Sequence, residues 1–246
     1  MARMTLPSTY QTQLQNIQKS PKFQDGKAVP FPGYSVITPP GEEDSDNSDF
    51  YKDLEIAHEE LLKQLDSKLV VAVPPTSFHL TVADLIWNDA YRDSIAENLD
   101  FDRQLQACIR ESFENYKEII SQNSPSQWQL MGLIIFPRAI AVGLVPRNEI
   151  DYEKILQLRR SIYQNSDLIA LGIEQQYYLT GHITLGYFGE IAPDLDRDRL
   201  VDLLSNFNDR WLGTEPQVLT IRQVQLCKFG DMTAYKREPD WPVVDV

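Results

Sequence analysis

Three histidines occur in the 246 residues, and two of them stand in the same local setting. His79 lies in Phe78-His79-Leu80-Thr81-Val82, and His182 in Gly181-His182-Ile183-Thr184-Leu185. Each run reads His, aliphatic, Thr, aliphatic, inside a stretch with strand character. On a strand, residues two apart share a face. Each motif therefore sets an imidazole beside a hydroxyl and turns the aliphatics into a core. Imidazole exchanges protons near neutral pH, so two of them can hold opposite protonation states at one pH. A hydroxyl donates to an oxygen on which negative charge builds. If both pairs face one cleft, they form a two-histidine acid–base site.

Ser and Thr make up 26 of the 246 residues. A hydroxyl at i+2 with apolar residues at i+1 and i+3 then arises for roughly 2% of histidines, and two hits among three on the order of once in a thousand random chains. The pair is therefore a signal where one motif alone would be noise. His58 falls between Leu54 and Leu61, beside a helical apolar stripe, and is read as structural.

The elements that must carry the motifs are read from periodicity. Strands are expected over 31–40, 69–73, 77–87, 128–136, 139–145, 177–188 and 217–229, where apolar runs are bounded by Pro, Gly or Ser. Leu54, Ala57, Leu61, Leu62 and Leu65 give a helix over 50–65. Leu105, Ile109, Phe113, Tyr116 and Ile120 mark one face of a long helix, and Tyr152, Ile155, Leu158 and Ile162 another. Leu200, Leu204, Phe207 and Trp211 give a last helix. Residues 1–30 read as an arm with at most one short helix over 10–18, and 239–246 as a surface segment. Strands adjacent in sequence favour α+β with antiparallel sheets over a parallel doubly wound sheet. Each half carries strand, helix, histidine strand, helix. That predicts one bilobal domain over 31–246, with lobes over 31–125 and 126–235. The two sheets would be related by a pseudo-two-fold, with helices outside and the cleft between.

Composition narrows the chemistry. With 23 Lys plus Arg against 36 Asp plus Glu, the net charge is −13, which argues against long nucleic acid held non-specifically. Two cysteines, Cys108 and Cys227, supply no disulfide scaffold or thiolate zinc site, and both read as core thiols. The apolar runs are too short to span a bilayer, and the N-terminus lacks a secretory apolar core. A cytoplasmic protein without a membrane partner is expected. Nothing demands an oligomer, so a monomer is expected. Asp44, Asp46, Ser48 and Glu55 approach a calcium-loop spacing, but Asp49 stands where the loop needs glycine, so a solvated acidic loop is the reading.

The paired His-x-Thr strands resemble those of the 2H phosphoesterase superfamily, which includes 2′-5′ RNA ligase-like proteins and RNA 2′,3′-cyclic phosphodiesterases. The similarity runs from about Phe31 to Phe229 and includes the strand pair around Phe136-Pro137-Arg138. It implies a metal-independent hydrolase of a 2′,3′-cyclic phosphate or 2′-5′ phosphodiester in a small nucleotide or RNA end. His79 and His182 would be catalytic, and Thr81 and Thr184 would hold the phosphate, with no cofactor and no metal. Tyr34, Arg138 and Tyr187 are candidate substrate contacts, and Trp87 with Tyr187 a candidate aromatic wall. A non-catalytic nucleotide-binding protein on the same fold is the first rival, and a zinc hydrolase using His79, His182 and a carboxylate the second.

Overall fold

A computed structural model describes residues 7–120, 124–212 and 217–246. In chain order the strands are β1 (Phe23–Gln24), β2 (Lys27–Ala28), β3 (Gly33–Ile37), β4 (Val70–Ala72), β5 (Thr81–Trp87) and β6 (Ser126–Phe136). They continue with β7 (Ala139–Pro146), β8 (His182–Phe188), β9 (Val218–Ile221), β10 (Gln223–Phe229), β11 (Tyr235–Lys236) and β12 (Val243–Asp245). The helices are α1 (Pro7–Gln15), α2 (Ser48–Leu62), α3 (Asn88–Glu97), α4 (Phe101–Ile119), α5 (Glu149–Tyr163), α6 (Ser166–Ala170) and α7 (Arg197–Leu212).

The strands form two five-stranded sheets and a small hairpin, and every pairing is antiparallel. One sheet runs β11-β10-β3-β5 with β12 beside β10, and the other runs β4-β8-β7-β6-β9. The fold is thus α+β with two antiparallel sheets, as the adjacent strands predict. The first motif leads into β5 of one sheet, and the second opens β8 of the other.

The sheets do not divide the chain near residue 125. Strand β4, ahead of the first motif, pairs with β8 in the second sheet, and β10 to β12 return to the first. The single strand expected over 217–229 is two, one in each sheet. Its apolar alternation changes phase at Arg222, since Leu219 and Ile221 are buried before it and Val224 and Leu226 after it. A strand that changes phase cannot keep one face buried in one sheet, so it breaks and swaps partner. Residues 239–246 are not a loose surface segment either. Val244 and Val246 are buried, and β12 pairs with β10.

Residues before 31 pack into the body instead of forming a detached arm. Tyr10, Leu14 and Ile17 are buried, α1 lies against α7 and β6, and the Tyr10 hydroxyl donates to the Leu133 carbonyl at 2.8 Å. Their signal is faint because Tyr10, Leu14 and Ile17 stand alone as large apolar side chains between Pro7 and Lys22, an otherwise polar run. Helix α3 escaped the periodicity for the same reason, since it buries only Tyr91. Helix α6 is five residues long and depends on Asn165, whose side chain accepts from the Asp167 and Leu168 amides.

Leu14 is completely buried among residues of the common core. Leu14→Ala is expected to lower unfolding stability by about 2–5 kcal/mol, read from urea denaturation. A change within error would mean that α1 is only loosely attached.

Candidate active site

The two motifs are built alike at the atomic level. His79 follows a single 3-10 turn at Pro75–Ser77 and precedes β5, and its Nδ1 lies 2.7 Å from the Ser77 carbonyl. His182 opens β8, and its Nδ1 lies 2.7 Å from the Thr180 carbonyl. A carbonyl only accepts, so each neutral ring carries its proton on Nδ1 and leaves Nε2 as the base. Each ring also rests on an aromatic neighbour, Tyr235 at 4.1 Å for His79 and Phe136 at 4.7 Å for His182.

A one-residue irregularity follows each threonine. Thr81 pairs with Ile37 and Ala83 with Val36, so Val82 is extra. Thr184 pairs with Ala141 and Gly186 with Ile140, so Leu185 is extra. Such a bulge shifts the alternation by one residue. The side chain three past each threonine, Asp84 or Tyr187, therefore turns to the threonine's face. Both bulge carbonyls are held. Arg159 on α5 donates through Nη1 to Val82 O, and His58 on α2 donates through Nε2 to Leu185 O at 2.9 Å.

Between the sheets lies a cavity of about 640 Å³ lined by Thr81 and Asp84 from β5 and by His182, Thr184 and Tyr187 from β8. Lys22, Arg138, Arg159, Tyr163, Tyr177 and Tyr178 also line it. His79 lies close enough to His182 and Lys22 that a charge on either opposes a proton on it. Another cavity of the same volume, between α2 and α7, is lined without histidine or threonine.

Burial pushes His79 down to about 4, with the neighbouring His182 and Lys22 acting the same way against its carbonyl bond. Burial also lowers His182, opposed by its bond to Thr180 O and by Asp84. Asp84 thus supports a proton on His182, a support His79 lacks, while His182 opposes a proton on His79. Among the described residues no cluster of three or more His, Cys, Asp or Glu is placed to hold a metal ion.

Thr81, His182, Thr184, Tyr187 and Arg138 thus line one cavity, with His79 beside it. Tyr34 does not. It is fully buried on the opposite face of β3, between Tyr91 and Trp241, with Lys228 over its ring. Its neighbour Ser35 takes the inner face and donates to Asp84 at 3.3 Å. Trp87 stacks on Tyr177 at 6.5 Å and backs the cavity wall. Sequence reasoning missed Asp84, Arg159, Tyr163 and Lys22. Asp84 was hidden by the bulge, and Lys22 by the polar character of the segment before 31. Arg159 and Tyr163 lie on a helix whose apolar stripe drew attention to its other residues. His58 is structural, as expected, but deeply buried and not at a helix flank.

Residues 22–126 match the family 2H-phosphodiest, described as a domain of unknown function (DUF1868). No curated protein matches the chain at a significant level. Among solved structures, the conserved protein of unknown function ATU0111 from Agrobacterium tumefaciens str. C58 superposes with a TM-score of 0.60 at 15% identity, over 97% of this chain and 98% of its own. LigT of E. coli complexed with 3′-AMP reaches a TM-score of 0.49 at 12% identity, over 88% and 98% of the two chains, a likeness too low to carry an argument. The family match agrees with the resemblance to the 2H phosphoesterase superfamily over the part of the chain that carries the first motif, and ends before the second. No helix among the described residues is long and apolar enough to cross a membrane.

His58, His79 and His182 are all held below the ordinary imidazole value, with burial the largest cause for each. Below about pH 6.5 the unfolded chain then binds more protons than the folded one, so stability rises with pH through that window. The urea midpoint is expected to fall as pH drops from about 7 toward 5, and less steeply in His79→Gln. An equal slope in wild type and variant would show that His79 is not held neutral.

Proposed function

We propose that this protein is a metal-independent phosphoesterase that hydrolyses a 2′,3′-cyclic phosphate or 2′-5′ phosphodiester of a small nucleotide or RNA end. The observation that carries the reading is that Thr81 from one sheet and His182 with Thr184 from the other line one cavity, with His79 within electrostatic reach of His182. Both imidazoles present Nε2 as the titrating atom, and each ring is fixed by a carbonyl on the far nitrogen. Such rings need no reorganisation to exchange a proton with a group between them.

The phosphorus would sit between the rings. His79, the more strongly depressed, is the base, and its Nε2 takes a proton from water as the water oxygen attacks phosphorus. His182, which Asp84 helps to keep protonated, gives its Nε2 proton to the departing ribose oxygen as the P–O bond breaks. The proton lost by water and the proton gained by the leaving group restore the pair with its roles exchanged. Solvent then resets it. The Thr81 and Thr184 hydroxyls donate to the non-bridging oxygens, where charge grows in the transition state. Hydrolysis of the cyclic ester leaves a phosphomonoester, by the resemblance a 2′-phosphate.

A bound phosphate anion favours the imidazolium form, so substrate itself raises the depressed values toward neutrality. In the free enzyme, kcat/KM needs one proton on the pair. Its bell-shaped profile is expected to lie between about 4 and the ordinary imidazole value. Asp84→Asn removes the group that raises His182 and is expected to move the alkaline limb further to the acid side. An alkaline limb above the ordinary imidazole value would overturn the assignment.

The direct test is hydrolysis of 2′,3′-cyclic nucleotides and 2′-5′ dinucleotides in excess chelator. His79→Ala and His182→Ala should each lower kcat about 10²- to 10⁴-fold without loss of cooperative unfolding. Full activity in either variant would sink the mechanism. Nucleotide binding without turnover would make the protein a binding module, and loss of activity in chelator would point to a metal hydrolase.

A further inference from the structure

The backbone anchors the two histidines unequally. His182 is the first residue of β8 and pairs with Gly143 of β7. His79 stands two residues before β5, whose first paired residue is Thr81. Among the described residues its ring makes one hydrogen bond, from Nδ1 to the Ser77 carbonyl. A ring held at one atom, on backbone outside the ladder, swings about that contact unless something packs against it. The Tyr235 ring does so, with the ring centres 4.1 Å apart and the planes at 59°. The contact recurs at the other motif, where Phe136 meets His182 at 4.7 Å and 56°. Strands β11 and β6, from different sheets, thus bring an aromatic ring to the two imidazoles in nearly the same attitude.

Tyr235 is itself fixed. It pairs with Phe229 of β10, and the two rings lie 5.2 Å apart. Its phenol donates to the Met232 sulfur at 3.7 Å, and Tyr187 of the other sheet donates to the same sulfur at 3.4 Å. The turn that carries Met232 is closed by Asp231, which accepts from the Thr233 amide at 2.8 Å and from the Thr233 hydroxyl at 2.5 Å. The Phe31 amide ties this turn to the body through the Gly230 carbonyl at 2.8 Å. A group that orients another must have its own rotamer locked in this way. Burial holds the phenol well above its ordinary value, so it stays neutral and exchanges no proton with His79. Phe136 lines the cavity, whereas Tyr235 is absent from its lining. Tyr235 therefore reaches a reaction in the cavity only through what it touches, His79 by its ring and Tyr187 by its hydroxyl and Met232.

We infer that Tyr235 is a positioning residue for His79, its ring fixing the imidazole so that Nε2 faces the place where the phosphorus sits. This rests on the phosphoesterase reading. It adds a residue that lies beyond the family match over 22–126 and beyond the stretch of resemblance that ends at Phe229. The ring carries the role, and the hydroxyl does not.

Two variants separate ring from hydroxyl. Tyr235→Phe keeps the plane and cuts the link to Met232. Tyr235→Met fills the space with a flexible apolar chain and removes the plane. With a 2′,3′-cyclic nucleotide, Tyr235→Phe is expected to keep kcat within about twofold of wild type. Tyr235→Met is expected to lower kcat about 10- to 100-fold, with KM within about threefold. Imidazole nitrogen NMR at about pH 8, where both rings are neutral, reads the same role without turnover. His79 is expected as the single Nδ1-protonated tautomer in wild type and Tyr235→Phe, and as a mixture in Tyr235→Met, with His182 unchanged throughout. Wild-type kcat in Tyr235→Met, or a lowered kcat with His79 still a single tautomer, would overturn the inference. So would a raised KM at unchanged kcat, which marks a substrate contact. Should Tyr235→Met fail to fold, the wild type decides. Overhauser contacts between the ring protons of His79 and Tyr235 are expected there, and their absence overturns the role. A tautomer change in Tyr235→Met with no turnover by wild type would keep the positioning role and overturn the hydrolase.

Discussion

The site depends on one backbone constraint, the extra residue that follows each motif threonine. Without it, alternation would bury the residue three past Thr81 or Thr184, and neither Asp84 nor Tyr187 would reach the cavity. A bulge leaves a carbonyl outside the ladder, and an unsatisfied carbonyl in a buried place is costly. Here the Val82 carbonyl is satisfied by Arg159, and the Leu185 carbonyl by the Val73 amide at 3.1 Å together with His58. The helices thus cover the sheets and also fix the local geometry of the strands. Arg159 reaches across from the half of the chain that carries the second motif to the strand that carries the first.

The same economy runs through the histidines. A carbonyl two residues upstream takes the Nδ1 proton, which selects the tautomer and the ring orientation in one contact. Burial then disfavours the charged form of both rings. What distinguishes them is the neighbour. Asp84 sits by His182, and His79 has no such support. Burial is the largest influence on both motifs, and Asp84, aimed inward by one bulge, adds a support for the proton on His182 that His79 lacks.

Net charge and local charge point in opposite directions, and both matter. A surface at −13 repels extended polyanions. The cavity wall, with three cations to one carboxylate, attracts a compact one. Lys22 and Arg159 are partly removed from water, where a charge is felt more strongly than at the surface. A short phosphorylated ligand satisfies both fields at once.

The periodicity of the chain determined the α+β class and most of its strands and long helices, and the repeated His-x-Thr spacing determined which four residues to watch. These are local properties, set by which side chains share a face over a few residues. Tertiary structure decided what depends on residues far apart. Tyr34 looked like a site residue until β3 acquired partners that turned Ser35, not Tyr34, toward Asp84. Nothing in the local sequence sets Lys22 apart; the packing of α1 against α7 brings the segment that carries it toward the histidines. The phase change at Arg222 was visible in the letters, but only pairing shows that it carries the chain from one sheet to the other. Sequence records the period of a strand. Bulges, sheet exchange and the charge of a cavity come from contacts between elements, which no local pattern encodes.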